Sequence, residues 1–155
     1  GSYNDIEQCR GLIREQGSDL ACVIVEPMQG GGGCIQGSPE FLAMLREETE
    51  KTGALLIFDE VMTSRLGPSG LQGIHGIAPD LTSLGKYVGG GMSFGAFGGR
   101  ADIIDRFGPV FSGLRGEGLL NFDASSVTLT DEGLMRVDQM LPDFYEAKYC
   151  NARYT

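Results

Sequence analysis

The 155-residue chain has no tryptophan, a single histidine, and only 12 lysines and arginines against 21 aspartates and glutamates. At a formal net charge of -9 it has no basic stripe to meet a phosphate backbone or an anionic membrane surface, so nucleic acid and membrane are not expected partners. No apolar run approaches the roughly 20 residues that span a bilayer. The four cysteines (Cys9, Cys22, Cys34, Cys150) lack C-x-x-C spacing and His75 has no ligand-type neighbour, so no metal site is expected. Cys22, inside an apolar run, reads as a small core residue. The thiols read as reduced, which suits an intracellular, cytoplasmic protein. No targeting segment is visible, and the opening Gly-Ser-Tyr-Asn lacks a methionine, as an expression overhang or the cut edge of a longer polypeptide would.

What is present is an alternation of helix and strand signals. Asn4, with Glu7 three residues on, predicts the N-cap of a helix with Ile6, Cys9, Leu12 and Ile13 on its apolar stripe, ending at Gly17. Ala21 to Val25 is short and apolar on both faces, the pattern of a strand covered on both sides in a parallel sheet. Ser38 and Pro39 predict a capped helix that buries Phe41, Leu42 and Leu45 and stops at Gly53. Its stretch Glu47-Glu48-Thr49-Glu50 reads as a solvated face. Strands are expected at Ala54 to Phe58, Pro79 to Leu84 and Ser93 to Phe97. The last follows too closely for a parallel crossover and should return antiparallel, giving a mixed sheet. A short helix is expected from Arg100 to Phe107. Pro109 to Asp123 reads as turn-rich, and Thr130 caps a last helix with Leu134, Val137 and Leu141 on one face, stopping at Pro142.

Two runs carry chemistry: Leu55-Leu56-Ile57-Phe58-Asp59-Glu60-Val61, and Leu84-Gly85-Lys86-Tyr87-Val88-Gly89-Gly90-Gly91. They put a carboxylate and an amine at the C-terminal ends of successive strands, where open α/β sheets bind ligands. The glycine clusters Gly30 to Gly33 and Gly89 to Gly91 either make tight turns or leave room for a ligand near the backbone. A Walker loop is excluded, since it needs glycine at Asp80 and serine or threonine at Tyr87. A G-x-G-x-x-G fingerprint is absent as well, which disfavours a nucleotide-binding domain.

Val25-Glu26-Pro27, then Phe58-Asp59-Glu60-Val61-Met62-Thr63, then Leu84-Gly85-Lys86 with Gly89-Gly90-Gly91 and Gly95-Ala96-Phe97-Gly98-Gly99, resemble the class III pyridoxal-phosphate-dependent aminotransferases of fold type I, most of all the glutamate-1-semialdehyde aminomutase group. The likeness runs over about residues 3 to 108. It implies an α/β partial large domain (1-108) with a mixed, mostly parallel sheet, followed by a divergent segment (109-155) with one helix. It implies pyridoxal 5'-phosphate as cofactor, an amino acid or amino-aldehyde as substrate, and a homodimer.

By the same resemblance Lys86 corresponds to the Schiff-base lysine, which also moves the proton at the substrate α-carbon. Asp59 corresponds to the partner of the pyridine nitrogen. Val61 corresponds to an apolar residue against the ring, and Gln29 to a side chain near the phenolic oxygen. Read without the family, Lys86 is a surface lysine, Asp59 a helix cap and Val61 a core valine. Glu26 and Glu60 orient neighbours or are buried with partners for structural reasons. Arg65, Arg100 and Arg115 are available for a substrate carboxylate. The family's phosphate-binding Gly-Ser/Thr segment and ring-stacking aromatic lie upstream of the position of Tyr3 and are not in this sequence. The alternative is a non-catalytic relative that binds or dimerises.

Overall fold

The computed structural model describes residues 1–92, 94–123 and 127–144, and the described chain falls into two compact units, 1–99 and 100 onward. In the first, helix α1 (Ile6–Gln16) leads to β1 (Cys22–Val25), a small ladder of β2 (Met28–Gln29) and β3 (Ile35–Gln36), helix α2 (Pro39–Thr52), β4 (Leu55–Asp59), helix α3 (Gly70–His75), β5 (Leu81–Gly85) and β6 (Gly95–Gly99). The sheet order is β1-β4-β5-β6, with the first two pairings parallel and the last antiparallel. The expected mixed, mostly parallel sheet is therefore present. Ser93, the expected start of β6, lies outside the described residues.

Helix α2 forms for the reasons its sequence advertises. Ser38 Oγ accepts the Phe41 amide, Pro39 opens the helix, and Gly53 closes it at φ +79°. Its Phe41, Leu42, Met44 and Leu45 pack with Ile13 of α1 and with Val25, Leu56 and Phe58 of the sheet, all nearly inaccessible. This is one core on one face of the sheet.

Several expectations are corrected here. The α1 cap is Asp5, which accepts the Gln8 amide. Asn4 sits at φ +66° and instead bridges to Gln36 O and the Ser38 amide, tying the chain start to the α2 cap. Leu12, placed on the apolar stripe, is exposed, because α1 buries mainly Ile13. Strand β1 is covered on one face only. Val25 is buried, but Cys22 is exposed and Ile24 is 64% exposed, since α1 and α2 pack on the side the alternate residues leave behind. Cys22 is thus a surface thiol.

The acidic stretch of α2 is a solvated face only in part: Glu47 and Glu50 are exposed as expected, and Glu48 and Thr49 are buried. Glu48 is 1% exposed and Thr49 0%, because the helical period turns them toward α1. Arg14 donates to both Glu48 oxygens, from Nε at 2.6 Å and Nη2 at 2.7 Å, and Lys51 adds a third bond at 3.2 Å. The Arg14 hydrogen bonds, helped by Lys51 and opposed by desolvation, hold the Glu48 carboxyl down to about 2.

In the second unit, helices α4 (Ala101–Arg106) and α5 (Gly108–Gly116) are followed by the hairpin β7 (Leu120–Phe122) and β8 (Val127–Leu129), then α6 (Asp131–Met135) and α7 (Val137–Met140). The expected helix after Arg100 is present. The turn-rich reading of Pro109 to Asp123 is wrong. Pro109 occupies the first turn of α5, where a missing amide costs nothing, and Phe111 and Leu114 bury themselves with Leu119, Leu120 and Met140. Thr130 does cap a helix, accepting the Gly133 amide, but that helix ends at Met135 and a second begins at Val137. Leu134 and Val137 are exposed, and the inward residues are Gly133 and Met140. The Leu141 side chain and Cys150 fall outside the described residues.

Candidate active site

The sheet sets the site. In β4, Leu56 and Phe58 face the core, so Ile57 and Asp59 face the other way, along with their register partners Leu81 and Ser83 of β5. Asp59 ends β4, and Lys86 stands three residues beyond its register partner Ser83, just past the end of β5. Both functional groups therefore leave adjacent parallel strands at their C-terminal ends.

Asp59 is half-buried and its carboxylate is oriented locally. Oδ1 accepts the Val61 amide at 3.0 Å, and among the described residues Oδ2 accepts no hydrogen bond. Val61 points its methyls at Gly85. A Cβ built there would meet Val61 Cγ1 at 3.4 Å and Cγ2 at 3.5 Å, and the Phe94 carbonyl oxygen at 3.3 Å. The glycine before Lys86 thus lets β4, β5 and the start of β6 close together.

Lys86 is exposed and begins a 3-10 turn over Lys86–Gly89. Its φ is +50°, a left-handed backbone that a side-chain-bearing residue adopts rarely and at a cost. Tyr87 beside it carries the Arg65 guanidinium 4.9 Å over its ring. The amides of Gly90 and Met92 donate back to Tyr87 O and Gly89 O, so the second glycine cluster closes as tight turns.

Gln29 lies in β2, and its side chain folds over its own loop. Gln29 Oε1 occupies the space 2.5 Å from where a Cβ on Gly32 would stand. The first glycine cluster also closes as a tight turn, with Gly33 and Cys34 both donating to Gly30 O.

The two glutamates divide. Glu60 is fully buried and accepts Thr63 Oγ1 at 2.5 Å, the Leu71 amide at 3.0 Å and the Gln72 amide at 2.6 Å, which pins α3 to the exit of β4. Gly70, at φ +65°, is required there because a Cβ would fall 2.6 Å from Glu60 Oε2. Glu26 is half-buried and accepts the Gly30 amide at 3.0 Å. Of the candidate arginines, Arg65 stacks on Tyr87, Arg100 pairs with Asp102 at 2.7 Å, and Arg115 lies over Phe122.

A cavity of about 680 Å³ opens among Glu60, Gln72, Thr82, Leu84, Tyr87 and Val88. Thr82 and Leu84 alternate with Ser83 and Gly85, so this space lies on the opposite side of β5 from Asp59, and none of Gln29, Asp59, Val61 or Lys86 lines it. The candidate site residues and the hollow are separate. Met62 stands in the motif Phe58 to Thr63, which assigns it no role. Its sulfur lies 2.1 Å from the Cβ position of Gly30, docking the exit of β4 on the first glycine loop. The glycine at position 30 was the available signal.

Residues 3–116 match the model of the class III aminotransferases. The chain belongs to that family. β-Phenylalanine transaminase of Variovorax paradoxus is 52% identical over 135 residues, which are 87% of this chain and 31% of that protein. The solved structure of the Variovorax β-phenylalanine aminotransferase superposes with a TM-score of 0.68 at 60% identity, over 70% of this chain and 25% of that one. Glutamate-1-semialdehyde 2,1-aminomutase of Pyrobaculum neutrophilum is 56% identical over 108 residues, 69% of this chain and 26% of that protein. A glutamate-1-semialdehyde aminomutase of Pseudomonas aeruginosa PAO1, solved in complex with PMP, superposes with a TM-score of 0.60 at 32% identity, over 67% of this chain and 22% of that one. The aminomutase group expected from the motifs is thus among the relatives, together with a β-amino-acid transaminase. This chain spans under a third of the length of these relatives. Family membership, with the PMP complex among the solved neighbours, implies pyridoxal 5'-phosphate as the cofactor. Among the described residues, no helix is long and apolar enough to cross a membrane.

Proposed function

We propose that this chain carries the lysine half of a pyridoxal-phosphate-dependent aminotransferase or aminomutase acting on an amino acid or amino-aldehyde, in a cytoplasmic homodimer. The observation that carries the reading is the pairing of Asp59 and Lys86 at the ends of adjacent parallel strands, with Val61 packed on the glycine that precedes the lysine. The residues suit the cofactor. Asp59 has one oxygen held by the Val61 amide and the other without a hydrogen-bond partner among the described residues, so it would face a protonated ring nitrogen. Val61 would offer an apolar surface to one side of the ring. Lys86, exposed at a strand end, would hold the cofactor covalently through Nζ. When bound, that group supplies an electron sink for charge developing at the substrate α-carbon.

The rest is done by the chain. With the cofactor bound and its covalent hold on Lys86 released, the Lys86 amine would take the proton from the substrate α-carbon and carry it as the conjugate acid. Gln29 would be offered to the cofactor from its own loop, with its carboxamide lying over Gly32.

The test is a titration of the 155-residue protein with pyridoxal phosphate. A visible absorbance band is expected from the lysine adduct, trapped by borohydride as a mass increase on Lys86 and absent in Lys86→Ala. No band, or a band that persists in that variant, would overturn the reading. A second reading is a non-catalytic module that pairs with another copy of itself, favoured by the bare apolar sheet face at Ile24 and Phe97. Light scattering that finds a dimer in a chain with no adduct band would select it.

A further inference from the structure

We infer that Glu26 is a positioning residue for the candidate site, a role that rests on the reading of Asp59 and Lys86 given above. The parallel register of β1 and β4 ends with Val25 beside Phe58, so one step further along both strands Glu26 comes level with Asp59. The Glu26 carboxylate turns onto its own loop, where Oε2 accepts the Gly30 amide. The base of that loop is fixed twice more. The Tyr3 hydroxyl donates to the Glu26 carbonyl oxygen at 2.7 Å, and the Gly37 amide donates to Pro27 O at 2.9 Å. Tyr3 is itself seated edge-on against Phe41 of the core, with ring centroids 5.3 Å apart.

The loop held in this way does two things. It presents Gln29, one residue before the anchored amide. It also offers the bare backbone of Gly30 to Met62, whose sulfur and methyl fill the space a side chain would take. Met62 follows Val61 directly, so the Glu26–Gly30 bond fixes the surface on which the Asp59–Val61 turn rests. Glu26 touches no reacting atom in this arrangement. It acts by holding the loop.

The prediction separates a carboxylate needed for its charge from one needed as an acceptor. Glu26→Ala removes the acceptor, whereas Glu26→Gln keeps a carboxamide oxygen in the same place. By amide hydrogen exchange without cofactor, Gly30 is expected to exchange about tenfold faster in Glu26→Ala and near the parent rate in Glu26→Gln. With pyridoxal phosphate, Glu26→Ala should weaken adduct formation several-fold and shift its absorbance maximum, and Glu26→Gln should restore both. Unchanged Gly30 exchange in Glu26→Ala overturns the inference. So does faster exchange with an unchanged adduct. If the parent chain forms no adduct, the function assigned to Lys86 fails, and the exchange comparison still decides whether Glu26 holds the loop.

Discussion

The two faces of the four-stranded sheet are built from the same kinds of residue and meet opposite fates. On one face Val25, Leu56 and Phe58 are sealed by α1 and α2, with Leu56 and Phe58 at 0% exposure. On the other, Ile24 and Phe97 stand 64% and 47% exposed, and toward the strand ends this face carries Asp59, Ser83 and Gly85. Stability in the first unit is concentrated on the sealed face, and Asp59 stands on the bare one. Apolar character alone therefore does not locate the core; which helices lie over a strand does.

This contrast can be attacked directly. The largest effect on folding is expected from Phe58→Ala, which should cost about 3–5 kcal/mol in denaturant unfolding. Ile24→Thr, at the same depth in the sheet but on the bare face, should change stability by no more than about 0.5 kcal/mol and improve solubility. Comparable losses at the two positions would mean that the bare face is covered in solution.

A middle-sized effect is expected from the Arg14–Glu48 pair. The Glu48 pKa is lowered in the folded chain, so its contribution is complete above the ordinary carboxylate range and is lost as pH falls through about 2. Melting temperature should decline on acidification from about pH 5. Glu48→Gln should be less stable at neutral pH and show a shallower acid decline, and parallel curves for the two proteins would sink the assignment.

Much of this was readable in the sequence, and the failures share a cause. The α2 cap, its Gly53 stop, the strands at Leu55 and Leu81 and the antiparallel return of β6 all announce themselves through local chemistry: a serine before a proline, a glycine after a last turn, a connection too short to cross over. So did the placement of Asp59 and Lys86 at strand ends. Cys22, Glu48 and α5 were misread because each depends on a partner distant in sequence. Cys22 needed to know that no helix overlies it, and Glu48 that Arg14 would arrive from α1. The glycine-rich α5 needed the core that Leu119, Leu120 and Met140 supply. Strands β2 and β3 have two residues each, too few for any alternation to register.

The left-handed backbone at Lys86 has a corollary for any attempt to silence the site. Because φ is +50° there, the natural residue sits in a well that only glycine occupies freely, at a penalty of about 1–2 kcal/mol. Lys86→Gly should therefore melt higher than both the parent and Lys86→Ala while lacking the amine altogether. An equal or lower melting temperature for the glycine variant would mean that the turn relaxes in solution and that the lysine is held without tension.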